Sequence, residues 1–123
     1  MKVFIAGSRS IKDFDFKNHI PDETTLIITG GADGIDTLAE KYADKNRISK
    51  LILRPQYKLY GKAAPLKRNE KMIELCDLGL IIWDGSSKGT KYSIDYAKKA
   101  GKKIILITEA KKTEMSSDKN EDA

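Results

Sequence analysis

One cysteine, one histidine and one tryptophan are all that 123 residues contain of those three types. With Cys76 alone no internal disulfide can form, which excludes a disulfide-stapled secreted mini-domain. His19 has no evident partner, so neither a metal site nor a histidine-based triad is expected. Long hydrophobic runs are missing as well. The longest, around residues 78–83 and 104–107, fall far short of the ~18 residues needed to span a bilayer. Residues 1–7 are too short an apolar stretch for a signal peptide, and Arg9 follows at once. The expectation is a cytoplasmic protein with no membrane contact, and its length suits one domain.

What is present in quantity is charge: 33% of residues are charged, and the formal net charge is +5. Residues 109–123 hold three lysines against five carboxylates, so an acidic tail conceals part of a more basic body. A basic body suits an anionic ligand such as a nucleotide, another phosphate or a nucleic acid. A lysine-rich solvated surface explains the same charge.

The apolar residues cluster. Residues 2–6 read as a buried strand broken by Gly7-Ser8-Arg9-Ser10, and residues 25–29 as a second stopped by Gly30-Gly31. Between them, residues 13–20 suggest a short helix ended by Pro21. From Asp33 the period changes, and Ile35, Leu38, Ala39, Tyr42 and Ala43 share one helical face. Residues 51–53 give a third strand ended by Arg54-Pro55. Pro65 starts a helix with Met72, Ile73 and Cys76 inward, which makes Cys76 an inert core residue. Residues 80–83 form a fourth strand, and Asp84-Gly85-Ser86-Ser87 ends it. Tyr92, Ile94, Tyr96, Ala97 and Ala100 mark a further helix with Gly101 as its C′ residue, and residues 104–107 a fifth strand. There is no internal repeat. The expected organisation is a domain over residues 1–108 and a disordered, acidic-leaning tail over residues 109–123.

Apolar strands alternating with helices predict an α/β, Rossmann-like doubly wound fold: a mainly parallel sheet of about five strands with helices on both faces. Ligands of such sheets bind beyond the carboxyl ends of the strands. Three special loops follow strands there: Gly7-Ser8-Arg9, Gly30-Gly31-Ala32-Asp33-Gly34, and Asp84-Gly85 through Gly89-Thr90. All three should open on one edge.

Glycines in such loops let backbone amides approach a ligand, and the next helix points its unpaired N–H groups and positive end at the same spot. Gly30-Gly31-Ala32-Asp33-Gly34 is not the GxGxxG dinucleotide fingerprint and Gly85–Thr90 lacks the GK[ST] of a P-loop, which disfavours a conventional NAD dehydrogenase or P-loop NTPase. Thr90 with successive amides can hold a phosphate, or serve as an ordinary helix cap. Asp36 can bond sugar hydroxyls, or simply favour the first turn of a helix that Asp33 caps. Arg9 and Arg68 offer bidentate phosphate forks. Arg68-Asn69 falls at a helix start, where a cation opposes the dipole unless a ligand is present. Trp83 either stacks on a base or belongs to the core. Tyr57 and Tyr60, in a loop with Gly61, can close over a ligand or pack on the surface.

Four segments occur in one order: Ile5-Ala6-Gly7-Ser8-Arg9; Thr29-Gly30-Gly31-Ala32-Asp33-Gly34-Ile35-Asp36-Thr37-Leu38-Ala39; Pro65-Leu66-Lys67-Arg68-Asn69-Glu70-Lys71-Met72; and Trp83-Asp84-Gly85-Ser86-Ser87-Lys88-Gly89-Thr90. Together they resemble the SLOG superfamily, named for the Smf/DprA and LOG proteins, and especially its small YspA-like branch (the DUF2493 type). The resemblance covers nearly everything up to Thr108. It implies a Rossmann-like fold that binds nucleotides or nucleotide-derived ligands, often as a sensor beside other domains, and it favours a homo-oligomer; without fused effector domains, a sensor subunit or a scavenger of such a ligand is the expected role. It also implies a pocket lined by Gly7, Ser8, Arg9, Gly30, Gly31, Asp36, Arg68, Asn69, Gly85, Gly89 and Thr90, to which Asp84 is added from the same loop. No cofactor and no metal are implied.

The enzymatic LOG branch cleaves the N-glycosidic bond of nucleoside monophosphates. Its pattern resembles R-K-x-x-M followed by P-G-G-x-G-T-x-x-E. Here Asn69 replaces the lysine, the loop before Gly89-Thr90 departs from Pro-Gly-Gly, and Ser93 stands at the acidic position. Glycosidic cleavage passes through a cationic state that a carboxylate stabilises and a serine does not. Asp95 is about 200° away around the helix, which leaves Asp36 or Asp84 to serve from another loop. The expected function is therefore nucleotide-ligand binding, with a LOG-like phosphoribohydrolase as the alternative. Single-stranded nucleic-acid binding, as in DprA relatives, is a further alternative, but the dispersed lysines and few aromatics give it little on which to stack bases.

Overall fold

A computed structural model describes residues 1–109 of the chain; the rest of the expected tail, residues 110–123, lies outside the described residues. Strands β1 (Lys2–Gly7), β2 (Leu26–Thr29), β3 (Ser49–Ile52), β4 (Leu78–Trp83) and β5 (Ile104–Thr108) build one sheet of order β3-β2-β1-β4-β5. Every pairing is parallel, so the fold is the expected Rossmann-like α/β arrangement with a wholly parallel sheet. Among the described residues three helices exceed two turns: α1 (Ile35–Lys45), α3 (Ala64–Leu75) and α4 (Lys88–Lys99). Between β3 and α3 lie a single turn, α2 (Tyr57–Tyr60), and a 3-10 turn (Gly61–Ala63). No helix among the described residues is long and apolar enough to cross a membrane.

The pleat divides the apolar residues into two cores. Val3, Ile5, Leu78, Leu80 and Ile82 face α1, where Ile35, Ala39 and Ala43 meet them. Phe4, Ile28 and Ile81 face the other way, onto Met72, Ile73 and Cys76 of α3 and Ile94 and Ala97 of α4. Burying each large aliphatic side chain is worth about 1.5–3 kcal/mol, so both layers are held chiefly by this alternation. α3 and α4 are also tied at the surface. Tyr92 and Tyr96, one turn apart, donate to Glu70 and Glu74, also one turn apart. The Glu74 carboxylate accepts the Tyr96 hydroxyl at 2.7 Å and pushes that phenol up to about 12.

The segment between β1 and β2 departs from expectation. Residues 13–16 are irregular and residues 17–19 form a turn, so no helix is present here. Asp15 accepts the Lys17 amide at 2.9 Å, a local bond that competes with helix formation. Phe14 and Phe16 alternate instead of following a helical period, and their rings meet edge to face at 5.0 Å. Ile11, Phe16 and Ile20 still bury against the α1 face, so the segment does a helix's covering work without being one. The tyrosine segment differs in the opposite sense: Tyr57 and Tyr60 lie in a helical turn.

Helix ends follow their local chemistry. Gly101 has the left-handed φ of 73° expected of the C′ residue of α4. At the end of α1 the same role falls to Arg47, at φ 56°. There the Ile48 amide donates to Ala43 at 2.8 Å and the Arg47 amide to Asp44 at 3.3 Å, the two bonds of a Schellman motif. Lys102 closes the end of α3, its Nζ donating to the Cys76 carbonyl at 2.8 Å and the Glu74 carbonyl at 3.3 Å.

The chain winds outward from β1 through β2 to β3, then returns to β4 on the other side of β1. The winding direction reverses between β1 and β4, and their carboxyl ends open a crevice.

Candidate functional site

A cleft of about 500 Å³ opens at the carboxyl ends of the strands, walled by the loops after β1 and β2 and by α3 and α4. Gly7, Arg9, Gly30, Gly31, Asp36, Arg68, Asn69, Gly89 and Thr90 all line it. Ser8, Asp84 and Gly85 do not.

Those three residues build the crevice instead. Ser8 is buried, and its Oγ accepts the Asp84 amide at 2.9 Å. The Asp84 carboxylate accepts from Ser10 Oγ at 2.8 Å and from the amides of Ser86 and Ser87 at 2.9 and 2.8 Å. These donors, led by the Ser86 amide, hold the Asp84 carboxyl well below the usual range. Asp84 thus locks the β1 and β4 loops together, and its oxygens are occupied. Gly85 supplies a turn at φ 88° with open space where a Cβ would stand.

The next feature is the start of α4. Its cap is Ser87, whose Oγ accepts the Thr90 amide at 3.4 Å and lies 3.1 Å from the Thr90 hydroxyl. Thr90 is therefore inside the helix rather than its cap, buried at the cleft wall. The first intrahelical bond runs from the Lys91 amide to Ser87 at 3.1 Å. The Lys88 and Gly89 amides precede it, so they are the donors a helix start leaves for an anion. Trp83 takes no part: its Nε1 donates to the Ser87 carbonyl at 3.0 Å, and its ring packs on the α3/α4 core. Ser93 is 1% exposed at the cleft wall, where the glycosidase pattern has a carboxylate. Asp95 is exposed and paired with Lys91 at 2.8 Å.

On the opposite wall Asp36 organises the glycine loop. Gly34, not Asp33, occupies the cap position of α1, with no side-chain cap bond. Asp36 turns back, and its Oδ2 accepts the amides of Gly30 and Ala32, each at 3.2 Å. Thr37 Oγ1 adds a bond to the Ala32 carbonyl at 2.9 Å. Asp36 is 5% exposed, and its Oδ1 is buried with the likewise buried Thr29 hydroxyl as the side-chain donor beside it. Burial pushes the Asp36 carboxyl above its ordinary range, against the opposing pull of the Ala32 amide and the Arg68 charge.

Arg68 belongs to the second turn of α3, because the helix begins at Ala64. The dipole argument from a helix start therefore does not apply to it. Its Nη1 donates to the carbonyls of Gly30 at 2.8 Å and Leu53 at 3.1 Å, and its Nε to Asn69 Oδ1 at 2.8 Å. It stitches the ends of β2 and β3 to α3 while holding positive charge at the cleft. Arg9 is different: it is exposed at the cleft mouth and makes no hydrogen bond or ion pair among the described residues.

Sequence reasoning passed over Arg54 and Pro55 as lining residues, although they follow a strand at the same sheet edge. The loop-after-strand rule that selected the other loops applies to them equally. Arg54 Nη1 donates to the Gly31 carbonyl at 3.2 Å. Tyr57 also lines the cleft, 61% exposed. Chemically, the cleft offers amides and a free guanidinium for an anion. Compared with protein-family models, curated proteins and solved structures, the chain gives no significant match in any of the three.

Proposed function

We propose that the cleft binds a nucleotide or nucleotide-derived ligand, which the chain senses or sequesters. The observation that carries this reading is the cleft itself: at the carboxyl ends of the strands it brings the uncommitted amides at the start of α4 together with the free Arg9 and the glycine loop that Asp36 braces. The sugar lies along the glycine-loop wall that Asp36 braces. The phosphate then lies at the Lys88 and Gly89 amides with Arg9 across the mouth, and the base lies against Tyr57, since the Trp83 ring is committed to the core. The likeness of the four segments to the SLOG superfamily supports the same reading.

Thermal denaturation with AMP, ADP-ribose, NAD and cyclic nucleotides tests it. At least one should raise the melting temperature, since a ligand at a hundredfold excess over Kd adds about 2.7 kcal/mol. A flat response across the panel overturns the proposal. Arg9→Ala should weaken the response without lowering the melting temperature of the free protein.

A second reading, nucleoside-monophosphate N-glycosidase, is favoured by one observation: Asp36 is the sole carboxylate lining the cleft among the described residues. It could stabilise a cationic sugar in place of the carboxylate that Ser93 lacks. Release of free base from nucleoside monophosphates at high protein concentration, lost in Asp36→Asn, would establish it. No release excludes it.

A further inference from the structure

We infer that the ligand carries phosphate beyond a single 5′-phosphate, held in a second chamber next to the cleft; this rests on the nucleotide reading above. The second chamber, about 520 Å³, shares Arg54, Pro55 and Arg68 with the cleft, so the two guanidinium groups stand at the junction. Beyond them the chamber runs between the end of β3 and the outer face of α3. Lys67 and Lys71 add two further cations to its lining, and no carboxylate lines it among the described residues.

The charges in this chamber are poorly compensated from within. Lys71 makes no hydrogen bond or ion pair among the described residues. Lys67 has Glu70 at 3.6 Å, a half-exposed contact of the kind that contributes little. Arg54 commits Nη1 to the Gly31 carbonyl, which leaves the rest of its fork available. Lys67 and Lys71 are also one turn apart on α3, a like-charge spacing unfavourable in an isolated helix. Four cations around one cavity whose described lining holds no carboxylate are the arrangement that a chain of phosphates neutralises. Two ligand types supply such a chain: a nucleoside polyphosphate, or a dinucleotide whose second base extends further. Tyr60, 45% exposed on the chamber wall, separates them, because only a second base has a ring to stack on it.

Titration calorimetry with AMP, ATP and diadenosine tetraphosphate tests the inference on the full chain. The longer ligands should bind at least about tenfold more tightly than AMP. Lys71→Gln should remove most of that advantage, while Lys41→Gln, on the far helix α1, should not. Lys71 is exposed, so the variant keeps its fold, and its melting temperature verifies this. A further loss in Tyr60→Ala confined to the diadenosine ligand assigns the chamber to a dinucleotide; no such loss assigns it to a polyphosphate tail. Equal binding of AMP and ATP, or an advantage that survives Lys71→Gln, overturns the second chamber and leaves the nucleotide reading intact. Failure of all three ligands, and of the wider panel, overturns both.

Discussion

Arg68 donates to the Gly30 carbonyl at 2.8 Å, and a Cβ built on Gly30 would stand 2.7 Å from the same Nη1 and 3.0 Å from Asp36 Oδ2. The absence of a side chain at Gly30 is what allows an arginine from α3 and a carboxylate from α1 to meet over the end of β2. Gly30→Ala should therefore destabilise the fold, because either the guanidinium or the carboxylate must move. Arg68→Ala should cost about 1–3 kcal/mol through the orphaned carbonyls of Gly30 and Leu53, even without ligand. Urea denaturation of both variants measures this. An Arg68→Ala protein as stable as the parent would show that the bonds to β2 and β3 are incidental.

The pH dependence of Asp36 has a definite sign. Its carboxyl is raised above 3.8 by burial, so the folded protein binds that proton more readily than the unfolded chain. Its contribution is most favourable below about pH 4, the unfolded value, and is lost as pH rises through the raised folded value. Asp36→Asn, which keeps an acceptor for the Gly30 and Ala32 amides, should be the more stable protein at neutral pH. The gap should close on acidification. Denaturant midpoints from pH 3 to 8 check both points.

Asp84 should behave in the opposite way. Its carboxyl is depressed, chiefly by the Ser86 amide, so its stabilisation is present above the unfolded value and fades as pH falls through the folded one. Asp84→Asn should thus be less stable than the parent at pH 7, with the difference shrinking below pH 4. Extending the same denaturation series to about pH 2 follows the shrinking difference.

Arg47 occupies a left-handed position that glycine holds at the end of α4. A side chain there costs about 1 kcal/mol or somewhat more. Arg47→Gly should raise stability by up to that amount, offset in part by the greater freedom of glycine in the unfolded chain. A rise of a few degrees in melting temperature is the expected result.

The sequence by itself determined the architecture. Five apolar runs, four of them with helical periods between, can be covered on both faces only as a parallel sheet, and the glycine loops must then share one edge. It also placed Gly101 at the end of α4, since a left-handed residue after an amphipathic run is local chemistry. The segment at residues 13–20 was not legible in this way. Its apolar residues are the right number for a covering element, but a local bond from Asp15 and the packing of Phe14 on Phe16 decide its backbone.

The tertiary structure decided which polar residues face the cleft. Ser8 and Asp84 read like ligand residues in sequence, yet they satisfy each other across the β1 and β4 loops, 76 positions apart. Asp36 reads as a residue that either bonds a sugar or favours the first turn of its helix, and instead spends one oxygen on the glycine loop and buries the other beside Thr29. Arg68 looked like a free fork and is half committed to two strand ends. A hydrogen-bonding group has several partners of equal chemistry along the chain, and only the folded arrangement sets which of them lies within 3 Å. Hydrophobic pattern is read locally, and polar satisfaction is settled globally.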